Sequence, residues 1–396
     1  MRETHNYVIV GGGLEGLAIA WSLADRGETD VVVLERDTLC SGMTGKSSGV
    51  VRCHYGVPSL AAMAWYGVDV FTRATELFGD DMGFRQCGYV VGVGADNIAP
   101  LRANVAMMQG LGIDVRFIDH AEMAQLWPGL SLEDFAAFAY EPLGGRGEAY
   151  LAGMAFGAAA RRLGVCIRQS TPVWELITGP DGAVLGVRLG DGTEIHAGTV
   201  VLAAGPWTPG LAASAGVDLD VRAQRAQLVL VDPGAPLPEV PVLSDLAGLS
   251  YLCREPNGEL LVGNSDHRAP EYLDPDRYPN RADERTVDTV IGKLGHRLPG
   301  MPDPRVTGSY AGAYDVTPDY NPIIGPGPVE GLFLATGFSG HGYKISPAVG
   351  RLAADLLTMG KTDLPGVDAA DFRYSRFAEG APLVSPHPYQ GAGEMR

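Results

Sequence analysis

The stretch YVIVGGGLEG, residues 7–16, constrains the fold of this chain more than any other. Tyr7-Val8-Ile9-Val10 reads as a buried strand, and a Gly-x-Gly-x-x-Gly run (Gly11, Gly13, Gly16) follows at once. Leu14, Leu17, Ala18, Trp21 and Ala24 then recur at helical spacing, and Gly27 supplies a stop. A second strand, Val31-Val32-Val33-Leu34, ends in Glu35, nineteen residues beyond Gly16. Each part has a physical task. Gly11 permits a tight turn, Gly13 lets a pyrophosphate approach the backbone, and Gly16 lets helix and sheet pack closely. The helix start at Leu14 and Glu15 offers N–H groups and a partial positive charge. Glu35 can accept hydrogen bonds from a ribose, and its charge disfavours a 2′-phosphate. A strand–turn–helix with all of these parts predicts dinucleotide binding.

A second glycine-rich stretch, CSGMTGKSSGVVRCHYG (40–56), contains Gly45-Lys46-Ser47-Ser48 and invites a P-loop reading. A P-loop needs a glycine five residues before Gly45, where this chain has Cys40. The stretch also follows the polar Arg36-Asp37-Thr38 rather than a buried strand, so nucleoside-triphosphate chemistry is excluded.

The 396 residues, 46% hydrophobic, suffice for two domains. A net charge of −17 argues against nucleic acid and anionic membrane surfaces as partners. Isolated Arg and Lys in apolar, glycine-rich settings therefore stand out as sites for an anionic ligand. The five cysteines form no C-x-x-C pair and no metal-ligand spacing, as expected of reduced thiols in a cytoplasmic protein. No signal-peptide core or apolar run of bilayer length is present in the sequence.

After residue 40 the chain departs from the repeated βαβ units of a simple NAD enzyme. Related elements return only later: the strand ending VVLAAGPW (200–207) and the pair TPDYNPIIG (317–325) and LFLATG (332–337). Strand-like runs at 165–168 and 183–189, with turns at 179–182 and 190–192, precede the first of these. The dinucleotide-binding unit is thus interrupted twice.

Four blocks carry a resemblance over about residues 5–377: GGGLEG with Glu35, SGVVRCHYG, VVLAAGPWTPGL, and TPDYNPIIG with TGFSGHGYKISPAVG. On these the chain resembles flavoproteins of the D-amino-acid oxidase superfamily, in the branch of sarcosine oxidase, its β subunit and dimethylglycine dehydrogenase. The resemblance implies an α/β (α+β, two-domain) protein: a discontinuous Rossmann-like FAD domain (1–80, 145–220, 310–377) interleaved with an antiparallel-sheet substrate domain (81–144, 221–309). A helix is predicted from Thr286 to Leu298, and the Pro/Gly-bearing tail, 378–396, is expected to be weakly ordered.

The same resemblance implies FAD contacts from Gly11, Gly13, Leu14, Glu15, Gly16, Glu35, Arg36, Lys46, Ser47, Ser48, Val173, Ala204, Gly205 and Trp207. It adds Gly337, Ser339, Gly340, His341, Gly342, Tyr343 and Lys344 at the start of the last helix. Arg52 and Lys344 would share a substrate carboxylate, one as a planar fork and one as a point charge. Tyr251 and Tyr314 would flank the substrate, and His341 would lie near the flavin ring. The implied reaction is oxidation of a secondary or tertiary amino acid, such as an N-substituted glycine, by hydride removal next to an uncharged amine. The imine then hydrolyses to an aldehyde or oxo acid and an amine. A cationic pair nearby lowers the ammonium pKa, so no strong base is required.

Three departures from the branch matter. Gly312 stands where the monomeric sarcosine oxidases attach FAD through cysteine, and Ser47 and Ser48 occupy the region where dimethylglycine dehydrogenases use histidine. FAD is therefore expected to be noncovalent, with Cys53 and His54 near enough in sequence to keep attachment in question. The oxygen-activating lysine aligns near Leu261, which favours a dehydrogenase or slow oxidase using O₂ or another acceptor. Three alternatives stand beside this reading: a β-like subunit passing electrons to a partner, a glycine or D-amino-acid oxidase, and a noncatalytic flavin scaffold. The scaffold would tolerate loss of Arg52 and Lys344.

Overall fold

A computed structural model describes residues 3–266 and 268–391. The wholly apolar strand Val31–Leu34 and the apolar end of Glu3–Val10 pair in parallel, as expected of strands buried on both faces. On its other edge Glu3–Val10 pairs in parallel with Glu194–Leu202, which pairs in turn with Leu332–Thr336. The sheet order is Ile323–Pro326, Leu332–Thr336, Glu194–Leu202, Glu3–Val10, Val31–Leu34, Cys166–Arg168. Val184–Leu189 and Val173–Thr178 continue it antiparallel from Glu194–Leu202. The register aligns Val10 with both Leu202 and Leu34, and Leu202 with Leu334. Four chain exits (Gly11, Glu35, Ala203 and Gly337) therefore converge on one sheet edge, at the carboxyl ends of parallel strands, where open α/β sheets bind ligands.

The first helix, Leu14–Asp25, packs between Ala149–Arg162 and Gly342–Met359. Small residues set these approaches: a Cβ on Gly350 would lie 2.5 Å from the Ala18 carbonyl oxygen. On its far side Gly342–Met359 meets the helix Pro58–Thr72, where a Cβ on Gly67 would lie 2.0 Å from the Lys344 carbonyl oxygen. Lys344 thus sits in a helix turn clamped by a neighbour that admits only glycine.

The second sheet has the order Arg305–Val316, Arg222–Asp232, Leu260–Asn264, Ser250–Arg254, Val242–Asp245, Tyr89–Val93, Ala137–Glu141, Arg116–Ile118. All of its pairs are antiparallel except Val242–Asp245 with Tyr89–Val93. The fold is thus a parallel-centred sheet interleaved along the chain with a mainly antiparallel one. The strand Arg305–Val316 runs across the boundary expected at residue 310. It stays in the second sheet to its end, with Tyr314 opposite Gln224 and Val316 opposite Arg222, because the long partner strand continues to pair with it. The predicted helix at 286–298 appears as Glu284–Arg297, its N-cap Asp283 accepting from the Thr286 N–H. No described helix is long and apolar enough to cross a membrane.

Residues 378–391 form no helix or strand but are tied to distant segments. Asn321 donates to the Leu383 carbonyl at 2.8 Å, Asn104 to the His387 carbonyl at 3.1 Å, and Gln390 N–H to Asn97 at 2.8 Å. Tyr389 is buried. Composition does not show this, because the holding groups belong to segments 62 to 293 residues away in the chain.

Candidate active site

A cavity of about 660 Å³ lies at the convergent sheet edge. Its lining runs from Glu35 and Arg36 past Gly11, Gly13, Leu14 and Glu15 to Tyr314 and Gly340. Gly11 has φ +115° and its Cβ would lie 2.4 Å from the Ala203 carbonyl oxygen, so only glycine fits the turn. Gly13, at the helix N-cap, brings bare backbone to the cavity, and Leu14 N–H donates to Thr44 Oγ1 at 3.0 Å. Gly16 is not in the lining; its Cβ would meet the Gly11 carbonyl oxygen at 2.0 Å, which is the close packing its place in the motif requires. Glu35 accepts from the N–H groups of Gly12 and Asp37, each at 2.8 Å. A carboxylate has lone pairs beyond these two, so Glu35 retains the capacity to accept from a ribose.

At the Glu35 end, the Arg36 guanidinium lies 4.1 Å over the Trp207 ring. Asp276 joins the two, accepting from Trp207 Nε1 at 2.9 Å and forming an ion pair with Arg36 Nη1 at 3.0 Å. Lys46 donates to the Tyr278 hydroxyl at 2.6 Å and also lines the cavity. Ser47, Val173, Ala204, Gly205, Gly342 and Tyr343 complete the expected residues in this lining. Asp276 and Tyr278 were not anticipated: they lie in a polar loop whose sequence carries no signal.

Two carboxyls face the same space. Glu15 packs against Gly342, whose Cβ would lie 2.4 Å from Glu15 Oε1. Desolvation, then the neighbouring Asp315, pushes the Glu15 pKa up to about 8. Asp315 is itself raised to about 6, chiefly by burial, while the Gly337 N–H that it accepts at 2.7 Å opposes the rise. Of the expected residues, Gly337 and Ser339 line neither cavity; both lie in this turn, with Ser339 N–H donating to the Asp315 carbonyl at 3.0 Å.

A second, smaller cavity of about 50 Å³ shares Tyr314 and Gly340 with the first. Arg52, Lys344, Tyr251 and Ser48 all line it, together with Val50, Leu246, Ser244 and Ser265. Residues expected from four distant chain segments thus meet in one small space. Arg52 and Lys344 are 5% and 6% exposed, so this is a dry site with two cations. The Arg52 guanidinium lies 4.3 Å over the Tyr55 ring and donates to the His54 carbonyl. Lys344 Nζ lies 5.9 Å over the same ring and 3.3 Å from the Gly340 carbonyl oxygen. Gly263 makes room for Tyr251, because its Cβ would fall 2.1 Å from that ring.

His341 lies outside both linings; its ring is fixed by Tyr55 OH at 3.2 Å and the Tyr320 carbonyl at 3.0 Å. Leu261 is a buried strand residue opposite Leu230 and Cys253. Cys53 and His54 also lie outside both linings. Among the described residues the only cysteine lining the larger cavity is Cys40, its thiol pushed up to about 12 by burial and by Glu15 and Glu35.

A family model described as FAD dependent oxidoreductase (DAO) matches residues 6–356. The chain is 28% identical over 387 residues to a 4-methylaminobutanoate oxidase (formaldehyde-forming) of Paenarthrobacter nicotinovorans, covering 94% of this chain and 45% of that protein. It therefore spans about half the length of that relative. A glycine oxidase of Geobacillus kaustophilus is 26% identical, covering 94% of this chain and 98% of its own. The crystal structure of an L-proline dehydrogenase from P. horikoshii superposes with a TM-score of 0.87 at 26% identity, covering 96% of this chain and all of that one.

Proposed function

Because the chain belongs to the FAD-dependent oxidoreductase family, we propose that it oxidises a small secondary or tertiary amino acid at a C–H bond next to nitrogen, in the cavity between Arg52 and Lys344. The observation that carries this reading is the pairing of these two buried cations in one cavity that adjoins the dinucleotide site. A substrate carboxylate placed between two buried cations would be held by charge from both, Arg52 as a planar fork and Lys344 as a point charge. The glycine cradle, Glu35 and the long cavity fit FAD, which when bound supplies a two-electron acceptor beside the substrate. Gly312 and the high thiol pKa of Cys40 support noncovalent binding.

The chain's own groups would do the rest. Arg52 and Lys344 fix the carboxylate and disfavour a substrate ammonium, keeping the amine neutral. Tyr251 and Tyr314 wall the cavity, and Val50 and Leu246 exclude water from the reacting end. The names of two relatives describe secondary amines, 4-methylaminobutanoate and L-proline, and these support an N-substituted substrate. The test is turnover on an artificial acceptor with sarcosine, dimethylglycine, proline, glycine and D-alanine, with the products identified. Formaldehyde from the N-methyl substrates or a cyclic imine from proline is expected. Turnover confined to glycine or D-alanine would overturn the reading.

A further inference from the structure

Arg52 stands at the start of a segment with no regular secondary structure, residues 52–56, so no helix or sheet ladder sets its position. The three residues after it are each held by a distant group. Cys53 N–H donates to Glu141 Oε2 at 2.7 Å, at the end of the strand Ala137–Glu141. Tyr55 OH is hydrogen-bonded to His341 at 3.2 Å, at the N-cap of the last helix. Between them, His54 Nε2 is hydrogen-bonded to the Tyr389 hydroxyl at 2.7 Å, with the two rings stacked 5.9 Å apart. His54 and Tyr389 are 0% and 3% exposed, and it is the His54 carbonyl that accepts from the Arg52 guanidinium.

We infer that Tyr389 is a positioning residue for substrate binding: acting through His54, it fixes the loop that aims Arg52 into the small cavity. The inference rests on the proposed role of Arg52. Tyr389 is in turn anchored from the second sheet's side of the chain. Asn97 donates to the Gln390 carbonyl at 3.2 Å while its Oδ1 accepts from Gln390 N–H, and Asn104 holds the His387 carbonyl. A Cβ on Gly56 would lie 2.1 Å from Ser385 Oγ, so the same segment also lies tightly against the end of the Arg52 loop. The stretch 385–390 is therefore a built part of the substrate side of the site, although it neither lines the cavity nor touches the dinucleotide cradle.

The experiment uses FAD-loaded protein and acetate as a carboxylate probe without an amine, its binding read from the flavin absorption spectrum. Tyr389→Phe keeps the ring and removes the hydroxyl. It is expected to weaken acetate and to raise KM for the amine substrate roughly three- to tenfold, the size of one buried hydrogen bond. FAD affinity and kcat should change little. Asn97→Ala, which releases Gln390 without touching the loop, is the second variant and should shift acetate affinity in the same direction. Unchanged acetate affinity in both variants, alongside a large loss in Arg52→Ala, would overturn the positioning role alone. So would losses of acetate and FAD affinity in equal proportion, which mark general destabilisation. Unchanged acetate binding in Arg52→Ala would overturn both this inference and the reading on which it rests.

Discussion

Replacing Glu15 with glutamine should change how stability depends on pH. The Glu15 carboxyl borders the large cavity beside Asp315 and the start of the last helix, and its pKa is raised from 4.5 to about 8. A group whose folded pKa lies above its unfolded value contributes stability that is intact below the unfolded pKa. That stability is lost as pH rises through the folded pKa. The window for Glu15 is therefore pH 4.5 to about 8. Asp315, raised from 3.8 to about 6, does the same over a lower range, so pH 6.5–7.5 isolates most of the Glu15 contribution. There the flavin-free protein should lose about 1.4 kcal/mol of unfolding free energy per pH unit, as long as the folded carboxyl is protonated and the unfolded one ionised. Near pH 7.5 the slope falls to about 1 kcal/mol per pH unit, because the folded carboxyl itself begins to ionise. Urea denaturation of flavin-free wild-type and Glu15→Gln protein at several pH values in that range measures the slope. The variant should be flatter by that amount, and more stable above pH 7. Parallel slopes in the two proteins would refute the placement of a buried, largely protonated carboxyl at this position.

Three further outcomes follow from the packing and the lining. Gly67→Ala places a methyl 2.0 Å from the Lys344 carbonyl oxygen, so the two helices must separate. A stability loss of about 1–3 kcal/mol and a raised substrate KM are expected, read by denaturation and steady-state kinetics. Acid or detergent denaturation should release all of the flavin into the supernatant, and pelleted protein that stays yellow would contradict noncovalent binding. Asp319 and Arg376 form a fully buried pair at 2.8 Å, and Asp319 also accepts from Leu383 N–H. Asp319→Ala should therefore cost about 3–5 kcal/mol by leaving a buried cation unpaired. Limited proteolysis should then cut within residues 378–391 much faster than in the wild type.

The parts of this account legible in the sequence are those written in contiguous residues. The Gly11–Gly16 turn with its flanking strands and Glu35 follows from local spacing, and the buried run at 200–202 marks a second parallel strand. Arg52, Lys344, Tyr251 and Tyr314 follow only from the resemblance, and the fold brings all four to one cavity. What could not be read are contacts that exist only once distant segments meet. Asp276 and Tyr278 enter the large cavity from a polar loop with no motif. The accommodation of Tyr251 by Gly263, and the grip of Tyr389 on His54, depend on sheet register and long-range packing. His341 shows the converse: its motif places it beside the site, but the backbone turns its ring toward Tyr55 and Tyr320 instead.

The most direct test of the central claim is an anaerobic spectral titration of the purified flavoprotein with sarcosine, dimethylglycine and proline, with Arg52→Ala alongside. Bleaching of the oxidised flavin band by at least one of these N-substituted amino acids is expected. Arg52→Ala should require far higher substrate concentrations while retaining its flavin. A flavin that stays oxidised with every N-substituted amino acid, or one that bleaches equally well without Arg52, would contradict that claim.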